Sequence, residues 1–447
     1  MDFVPHTDAD DRAMLEAVGK AGFADLFEAV PQDVLLDRSL DIPPALSEPE
    51  LLAHLGHLAG RSGAAAHLAC FAGGGVYDHH VPAAVRALAA RAEFATSYTP
   101  YQPELSQGVL QALFEFHTAI SAIYGMEVAN ASLYDGAHSV VEGVYLALRV
   151  TGRRRAVVGA TVHPHLREVL RTYTSGLGIE VDTAPFGPDG TVDWSTAPVD
   201  DAGAVVVASP NVFGRLEDVS LAARRAHEAG GLCVAVADPT ATGVIVPPGE
   251  QGADVAVGEG QSLGNPMAYG GPGVGLFATK LAHVRQVPGR IAGETLDADG
   301  RRAFVLTLQA REQHIRRARA TSNVCTNQTL LAIAAGIHLA WLGPQGLRRL
   351  GELCARRTAY AAALLGEVPG VRLRFPGPRF KELVLETPVP GAELARRLAA
   401  RGYLVGPAFG RWWPELEGCL LLAVTERRTK EQIEGLAEAL EKELAEE

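Results

Sequence analysis

Lysine is nearly missing from this chain. Of forty basic side chains thirty-five are Arg and five are Lys, at positions 20, 280, 381, 430 and 442. Such a split reads first as codon bias or thermophily, yet it leaves any amine chemistry only five possible carriers. Positive charge as a whole is also short: forty basic against fifty-two acidic side chains give a net charge of -12. That excludes a nucleic acid or an anionic membrane surface as the main partner. The five cysteines (Cys70, Cys233, Cys325, Cys354, Cys419) are scattered, with no CxxC and no paired His spacing. Neither a zinc site nor a disulfide framework is expected, and the pattern suits a reduced, cytoplasmic chain. No uninterrupted apolar run approaches the ~18 residues of a membrane-spanning helix. The acidic start, MDFVPHTDADDR, predicts no signal or transit peptide. There is no GK[ST] for a P-loop, and Gly258-x-Gly260-x-x-x-Gly264 misses the dinucleotide fingerprint by one residue.

What is present is an ordinary globular composition, 47% hydrophobic and 21% charged, which excludes wholesale disorder. A chain of 447 residues suggests two or three domains. Residues 1–60 read as helical and extended segments, 61–330 as a large α/β domain, and 331–447 as a smaller α+β domain. In 105–124, Leu105, Val109, Leu113, Phe116, Ile120 and Ile123 recur at helical spacing and Gly125 ends the run. Short apolar runs at 156–161, 204–208, 233–237, 254–257 and 274–277 suit strands covered on both faces, and the helix between the second and third stops at Gly230-Gly231. This is a βαβ series with a mostly parallel sheet. Beyond 330 a long helix leads to strands at RLRF, ELVLE and CLLLAV, and Thr429 with Gln432 opens a last helix with Ile433, Leu436, Leu440 and Leu444 inward.

Ligands of such sheets bind beyond the carboxyl ends of the strands. The residues there are Thr161-Val162-His163-Pro164, Ser209-Pro210-Asn211, Asp238-Pro239 and the glycine-rich loop 258–275. Asp238 before Pro239 is also a common turn former, and His163 before Pro164 is also a helix cap. Asp135-Gly136-Ala137-His138-Ser139 opens a helical run, so it is either an anion cradle or an ordinary N-cap. Two loops, Phe71 to His79 and Thr96 to Glu104, and the run Thr321 to Thr326 are dense in hydroxyl, aromatic and carboxylate groups. Loops of that kind on a rigid scaffold usually carry function.

FAGGGVYDHHVP, TSYTPYQPELSQG, NASLYDGAHS, SPNVFG and ATSNVCTNQ, in this order between residues 71 and 328, resemble the glycine decarboxylase P-protein family of the glycine cleavage system. The length resembles that of the first (α) subunit of its split bacterial form. The resemblance implies the fold-type-I architecture of pyridoxal-phosphate (PLP) enzymes: a mostly parallel α/β sheet domain with a smaller C-terminal domain. It places Asp238 as partner of the pyridinium nitrogen, His163 as the stacking ring, and Gly136, Ala137, His138 and Ser139 as the phosphate loop. PLP also needs a lysine for its Schiff base. In the catalytic half of the family the loop after the 254–257 strand carries His-Lys; here the pair is Gln261-Ser262. Ser262 cannot form an imine. Lys280 lies beyond the next strand, and Lys20, Lys381, Lys430 and Lys442 are read as helical or terminal.

The chain alone is therefore expected to be inactive, with a vestigial cofactor pocket. PLP is expected covalently on a lysine-bearing subunit 2, in an α2β2 assembly with two chains of each kind. The family's reaction decarboxylates glycine, passes the aminomethyl group to the lipoyl arm of H-protein, and releases CO2, an oxidoreductase activity. Ser97, Tyr98, Tyr101 and Glu104 are candidates for the substrate or lipoyl channel across the interface. Thr321, Ser322, Asn323 and Thr326 are candidates for phosphate or interface contacts, and Tyr77, Asp78 and His79 for the approach. Three rivals are a self-sufficient PLP enzyme, a structural chaperone of the partner, and a dead pocket holding another anion. No metal is expected.

Overall fold

The computed structural model describes residues 5–36, 38–62 and 67–445; the first four residues of the acidic start lie outside them. The chain forms two compact units, Met1–Gly63 and Ala64–Glu447. In the first, helix α1 (Asp8–Ala17) begins at a Thr7–Asp10 capping box. Helix α2 (Glu48–Gly60) begins at Ser47, whose N–H and hydroxyl both donate to Glu50 (2.9 and 2.6 Å). Leu15 is the one buried large apolar side chain among this unit's described residues, whereas Phe23, Phe27, Val34, Ile42 and Leu52 are exposed.

The second unit opens with strand β1 (Ala69–Ala72) and helices α3 (Ala83–Ala89) and α4 (Gln107–Tyr124). Helix α4 buries Val109, Leu113, Phe116 and Ile120 and ends at Gly125, where φ is +63°. Leu105 lies just outside it, exposed. The wound core follows: β2 (Val128–Ala129), α5 (Gly136–Thr151), β3 (Arg155–Gly159), α6 (Pro164–Thr174), β4 (Glu180–Ala184), β5 (Ala204–Ala208), α7 (Val219–Glu228), β6 (Leu232–Val236), β7 (Val255–Glu259) and β8 (Gly275–Thr279). These strands make a seven-stranded sheet in the order β2-β8-β7-β6-β5-β3-β4. Every neighbouring pair from β4 to β7 is parallel, and β8 runs antiparallel to β7 and β2. Continuous runs of Ala and Val bury both sheet faces, which parallel strands under helices require.

A hairpin of β9 (Ile291–Leu296) and β10 (Arg302–Thr307) and a short helix α8 (Gln313–Arg316) lead to α9 (Thr329–Leu365). Helix α9 is apolar and long enough to span a membrane by length and composition, with mean hydropathy 1.4 over its most apolar window. It breaks at Gly343-Pro344 and packs along α4 and α3, the behaviour of a core helix. The remaining elements are β11 (Arg372–Leu373), β12 (Glu382–Glu386), α10 (Gly391–Ala400), β13 (Tyr403–Gly406), β14 (Cys419–Ala423) and α11 (Lys430–Ala445). Strands β11, β12 and β14 form an antiparallel sheet, while β1 pairs in parallel with β13. Thr429 and Gln432 exchange the two bonds of a capping box, and Ile433, Leu436 and Leu440 are buried as the pattern predicts. Strand β4 and the β9–β10 hairpin are not foreseen by the sequence reading; both mix polar and apolar residues at a sheet edge.

One glycine fixes how the β12 segment meets the wound sheet. Gly214, at φ +75°, ends the Ser209–Gly214 loop after β5, and Phe380 N–H donates to its carbonyl (3.0 Å). A Cβ at 214 would collide with the backbone carbonyl of Glu382. Gly214→Ala is expected to cost about 3 kcal/mol or more, from strain and forced separation. Urea unfolding measures it; a loss under about 1 kcal/mol would show that the contact yields freely.

Candidate functional site

The carboxyl ends of β3, β6 and β7, the amino end of α5, and the segments 71–80, 380–382 and 425–428 converge on one buried polar cluster. Asp238, just after β6, accepts from the Thr240 N–H (2.8 Å) and hydroxyl (2.7 Å) through one oxygen. Its other oxygen is ion-paired with Lys381. Lys381 is 1% exposed, lies 3.5 Å from the centre of the Tyr77 ring, and donates to His79 Nε2 (3.2 Å). Burial works against the Asp238 carboxylate, but the Lys381 ammonium and the Thr240 bonds outweigh it and hold its pKa below the ordinary value.

This corrects the sequence reading of Lys381. It belongs to no helix or terminus: it precedes β12 at φ +60°, a conformation rare for a side-chain-bearing residue. Its position still denies it the Schiff-base role. The pyridinium nitrogen, which an Asp pairs, and the aldehyde carbon lie on opposite sides of the ring. With Asp238 as the pyridinium partner that the resemblance implies, a lysine paired with it would occupy the nitrogen's end. Lys280 pairs with Asp254 (2.6 Å), at the amino end of β7 and so the wrong end of the sheet. Ser262 is buried in the loop after β7.

Tyr77, Asp78 and His79 are interior residues here, buried to 9%, 4% and 6% exposure. Expected along an approach path, they instead weld the N-terminal loop to the C-terminal sheet. Asp78 pairs with Arg428 (2.7 Å) and Arg427. His79 Nδ1 donates to Glu426 (2.6 Å), leaving Nε2 to accept from Lys381. Gln261, beside Ser262, accepts from the Tyr77 N–H (2.9 Å) and donates to its carbonyl (3.1 Å). Glu382 accepts from the Gly74 N–H (2.7 Å). Burial pushes the Glu382 carboxyl up to about 7, whereas hydrogen bonds from His79 and the His80 N–H overcome burial at Glu426 and bring it down to about 2.

The other cofactor positions are equally committed. His163 caps α6, with Nδ1 accepting from the His165 N–H (3.2 Å), and its ring meets the Trp412 edge. Burial, with His165 next, lowers its pKa to about 4. A side chain at residue 74 would crowd the ring's other nitrogen: a Cβ on Gly74 would lie 3.1 Å from Nε2. At the amino end of α5, Asp135 accepts from the His138 N–H (2.7 Å). The first helical N–H, of Gly136, donates to Glu259 (2.9 Å). Ala137 is half-buried; Ser139 is buried and its hydroxyl turns back to the Asp135 carbonyl. The His138 ring packs between Tyr134 and Tyr173. Asp238, the Gly136 N–H and the Ser139 hydroxyl, which would anchor PLP, are thus already engaged within the chain, and in this state they do not fit it.

Of the remaining candidates, two are brought together by Arg290. Its guanidinium donates to Asn327 (3.0 Å) and the Cys325 carbonyl, and reaches the Tyr101 hydroxyl at 3.4 Å. Tyr101 and Thr326 are thereby brought near each other. Tyr98 (79% exposed) and Tyr101 (46%) point outward, as do Glu104 and Asn323. The hydroxyls of Ser97 and Thr326 are buried with no hydrogen-bond partner among the described residues. Ser322 turns inward to Glu142 (2.6 Å), and the Thr321 N–H donates to the Arg311 carbonyl. Sequence reasoning missed Glu259, Arg290, Glu382, Glu426 and Lys381. Four of these are single charges in or beside loops, and Glu259 closes an apolar strand. Burial, the property that singles them out, has no local sequence signal.

Comparison with known proteins accords with this geometry. The sequence model of the family described as "Glycine cleavage system P-protein" matches residues 1–440. The chain is 46% identical, over 98% of its length and 99% of the relative's, to a probable glycine dehydrogenase (decarboxylating) subunit 1 of Desulforamulus reducens. It is 47% identical to the protein of that name from Geotalea daltonii, over 99% of each. A crystal structure of a glycine decarboxylase (P-protein) of the glycine cleavage system, in inhibitor-bound form, superposes with a TM-score of 0.91 at 48% identity, covering 99% of this chain and 100% of that one. A glutamate decarboxylase of Lactobacillus brevis, 13% identical, shares the fold alone, with a TM-score of 0.68 over 94% and 97% of the two chains. With the sheet order, the site's position and full-length identity in agreement, the chain belongs to the glycine cleavage system P-protein family.

Proposed function

We propose that this chain is the subunit of a split glycine decarboxylase that does not carry the cofactor. The observation that carries the reading is Ser262, at the position where the catalytic half has its lysine, in a chain matching proteins named subunit 1 over their whole length. A lysine-bearing subunit 2 holds PLP, and the pair removes the carboxyl group of glycine as CO2. The aminomethyl group passes to the lipoyl arm of H-protein. The assembly is α2β2, in the cytoplasm. Five free thiols, four of them buried, suit a reducing compartment.

The need for a partner has physical support in the first unit. A unit of about 60 residues is marginal even with a good core, and this one leaves Phe23, Phe27, Val34, Ile42 and Leu52 exposed. Such apolar surface needs a partner surface beyond the unit itself. In the second unit the outward Tyr98, Tyr101 and Glu104 are the groups this chain offers across the interface. Arg290, stacked 5.5 Å from the Tyr101 ring, fixes that loop's direction.

Co-expression tests this. Glycine–bicarbonate exchange is expected from the mixture with subunit 2 and from neither chain alone. Tyr98→Ala and Tyr101→Ala are expected to lower exchange at least ~10-fold with assembly intact, the loss of about 1.4 kcal/mol of transition-state stabilisation. Full exchange from subunit 2 alone overturns the reading, and unchanged exchange in both variants leaves a purely structural role.

A further inference from the structure

The Glu259 carboxylate sits where an anionic ligand of helix α5 would sit. It accepts from three backbone N–H groups: Gly136 (2.9 Å), Gln261 (2.9 Å) and Val274 (2.9 Å). Gly136 is the first residue of α5, where unpaired donors and the helix dipole favour a negative charge. Close approach is possible only because residue 136 has no side chain, since a Cβ would lie 2.9 Å from Glu259 Cβ. Asp135 supplies a second carboxylate at the same helix end. Space is not what is lacking: a cavity of about 220 Å³ opens beside the cradle, lined by Asp135, Glu259, Gln261, Gly273 and Gln328. Across the site the Lys381 ammonium meets Asp238, the group that would otherwise seek a pyridinium.

We propose that the chain plugs its own inherited cofactor cradle, with Glu259 standing in for a phosphate at α5 and Lys381 standing in for a pyridinium at Asp238. The cradle is closed by charge and hydrogen bonding rather than by bulk. A phosphate monoester would have to displace a carboxylate from three donors and then face Asp135. A cationic ring would have to break a buried ion pair. Together these keep PLP off this chain while cofactor is loaded onto the partner. The inference deepens the proposed assignment of PLP to subunit 2, and binding to this chain alone tests it apart from the activity of the pair.

The test uses the full chain and inorganic phosphate. Glu259→Gln keeps the shape but loses the charge and one acceptor; Glu259→Ala empties the cradle. Equilibrium dialysis is expected to show phosphate bound by Glu259→Ala at least ~10-fold more tightly than by the unaltered chain, with Glu259→Gln between them. Phosphate binding by the unaltered chain equal to that of Glu259→Ala overturns the plug, and so does a failure of Glu259→Gln to exceed the unaltered chain. The Lys381 half is read without a substitution. After incubation with PLP and borohydride, peptide mass spectrometry is expected to find Lys381 unlabelled, its amine held as a paired ammonium. A pyridoxyl adduct on Lys381 overturns that half.

Discussion

Replacing Lys381 by Met is expected to destabilise the chain by about 3–5 kcal/mol at neutral pH, the usual cost of leaving one member of a buried ion pair alone. The ammonium answers Asp238 and His79 and lies over the Tyr77 ring, so its loss strips the Asp238 carboxylate of its ion-pair partner while the Thr240 bonds remain. In the parent, the depressed Asp238 pKa contributes stability above the carboxyl's ordinary value near 4, lost as pH falls through the lower folded value. Removing Lys381 reverses this: burial without a partner raises the pKa, so the variant loses stability as pH rises past about 4. The double variant Lys381→Met/Asp238→Asn is expected to recover much of the loss, because an amide oxygen still accepts from Thr240. Chemical denaturation at pH 5 and 8 measures all three variants. A loss under about 1 kcal/mol for Lys381→Met at pH 8 would mean that the pair is hydrated and contributes little.

Glu382 and Glu426, which border the same cluster, should respond to Gln in opposite directions. The Glu382 pKa is raised from 4.5 to about 7 by burial. The folded chain therefore holds a proton that the unfolded chain gives up, and stability falls as pH rises from about 4.5 towards 7, by on the order of 3 kcal/mol. Glu382→Gln removes that penalty. Its amide oxygen can keep the bond from Gly74 and its amide nitrogen can meet Tyr77, so the variant is expected to be more stable than the parent at pH 8 and equal to it near pH 4. The Glu426 pKa is lowered to about 2. It contributes stability above 4.5 that is lost as pH falls through 2, again on the order of 3 kcal/mol. Glu426→Gln should thus be destabilising at pH 7, with little effect near pH 2. Melting temperatures of the two variants across pH 4–8 decide the matter; shifts of the same sign at pH 8 would sink the assignment of opposite environments.

The glutamates also mark where sequence reasoning stops. The wound sheet was legible because each of its inner strands is a continuous apolar run between turn signals, and burial on two faces leaves no other composition. The last helix was legible because Thr429 and Gln432 cap it locally. Strand β4 was not, since residues 180–184 alternate between polar and apolar at an edge. Of the candidate site, Asp238 and His163 stand out by their place after strands, the 136–139 turn by its place at a helix start, and Ser262 only through the resemblance to the family's His-Lys loop. Lys381, read as helical or terminal, does not: it lies 143 positions from Asp238, and nothing in the pattern around it, FKELVLE, signals their pairing.

The sequence by itself determined the family, the sheet and the absence of any lysine from the loop after β7, since each is written in a local pattern or in residue identities. Tertiary structure alone decided what meets Asp238 and the amino end of α5. An ion pair between residues 238 and 381, and a carboxylate at 259 capping a helix that begins at 136, come from elements far apart in the chain being packed together. Buried charge is costly to leave unpaired, so each of these groups finds its partner through the fold rather than through its neighbours in sequence.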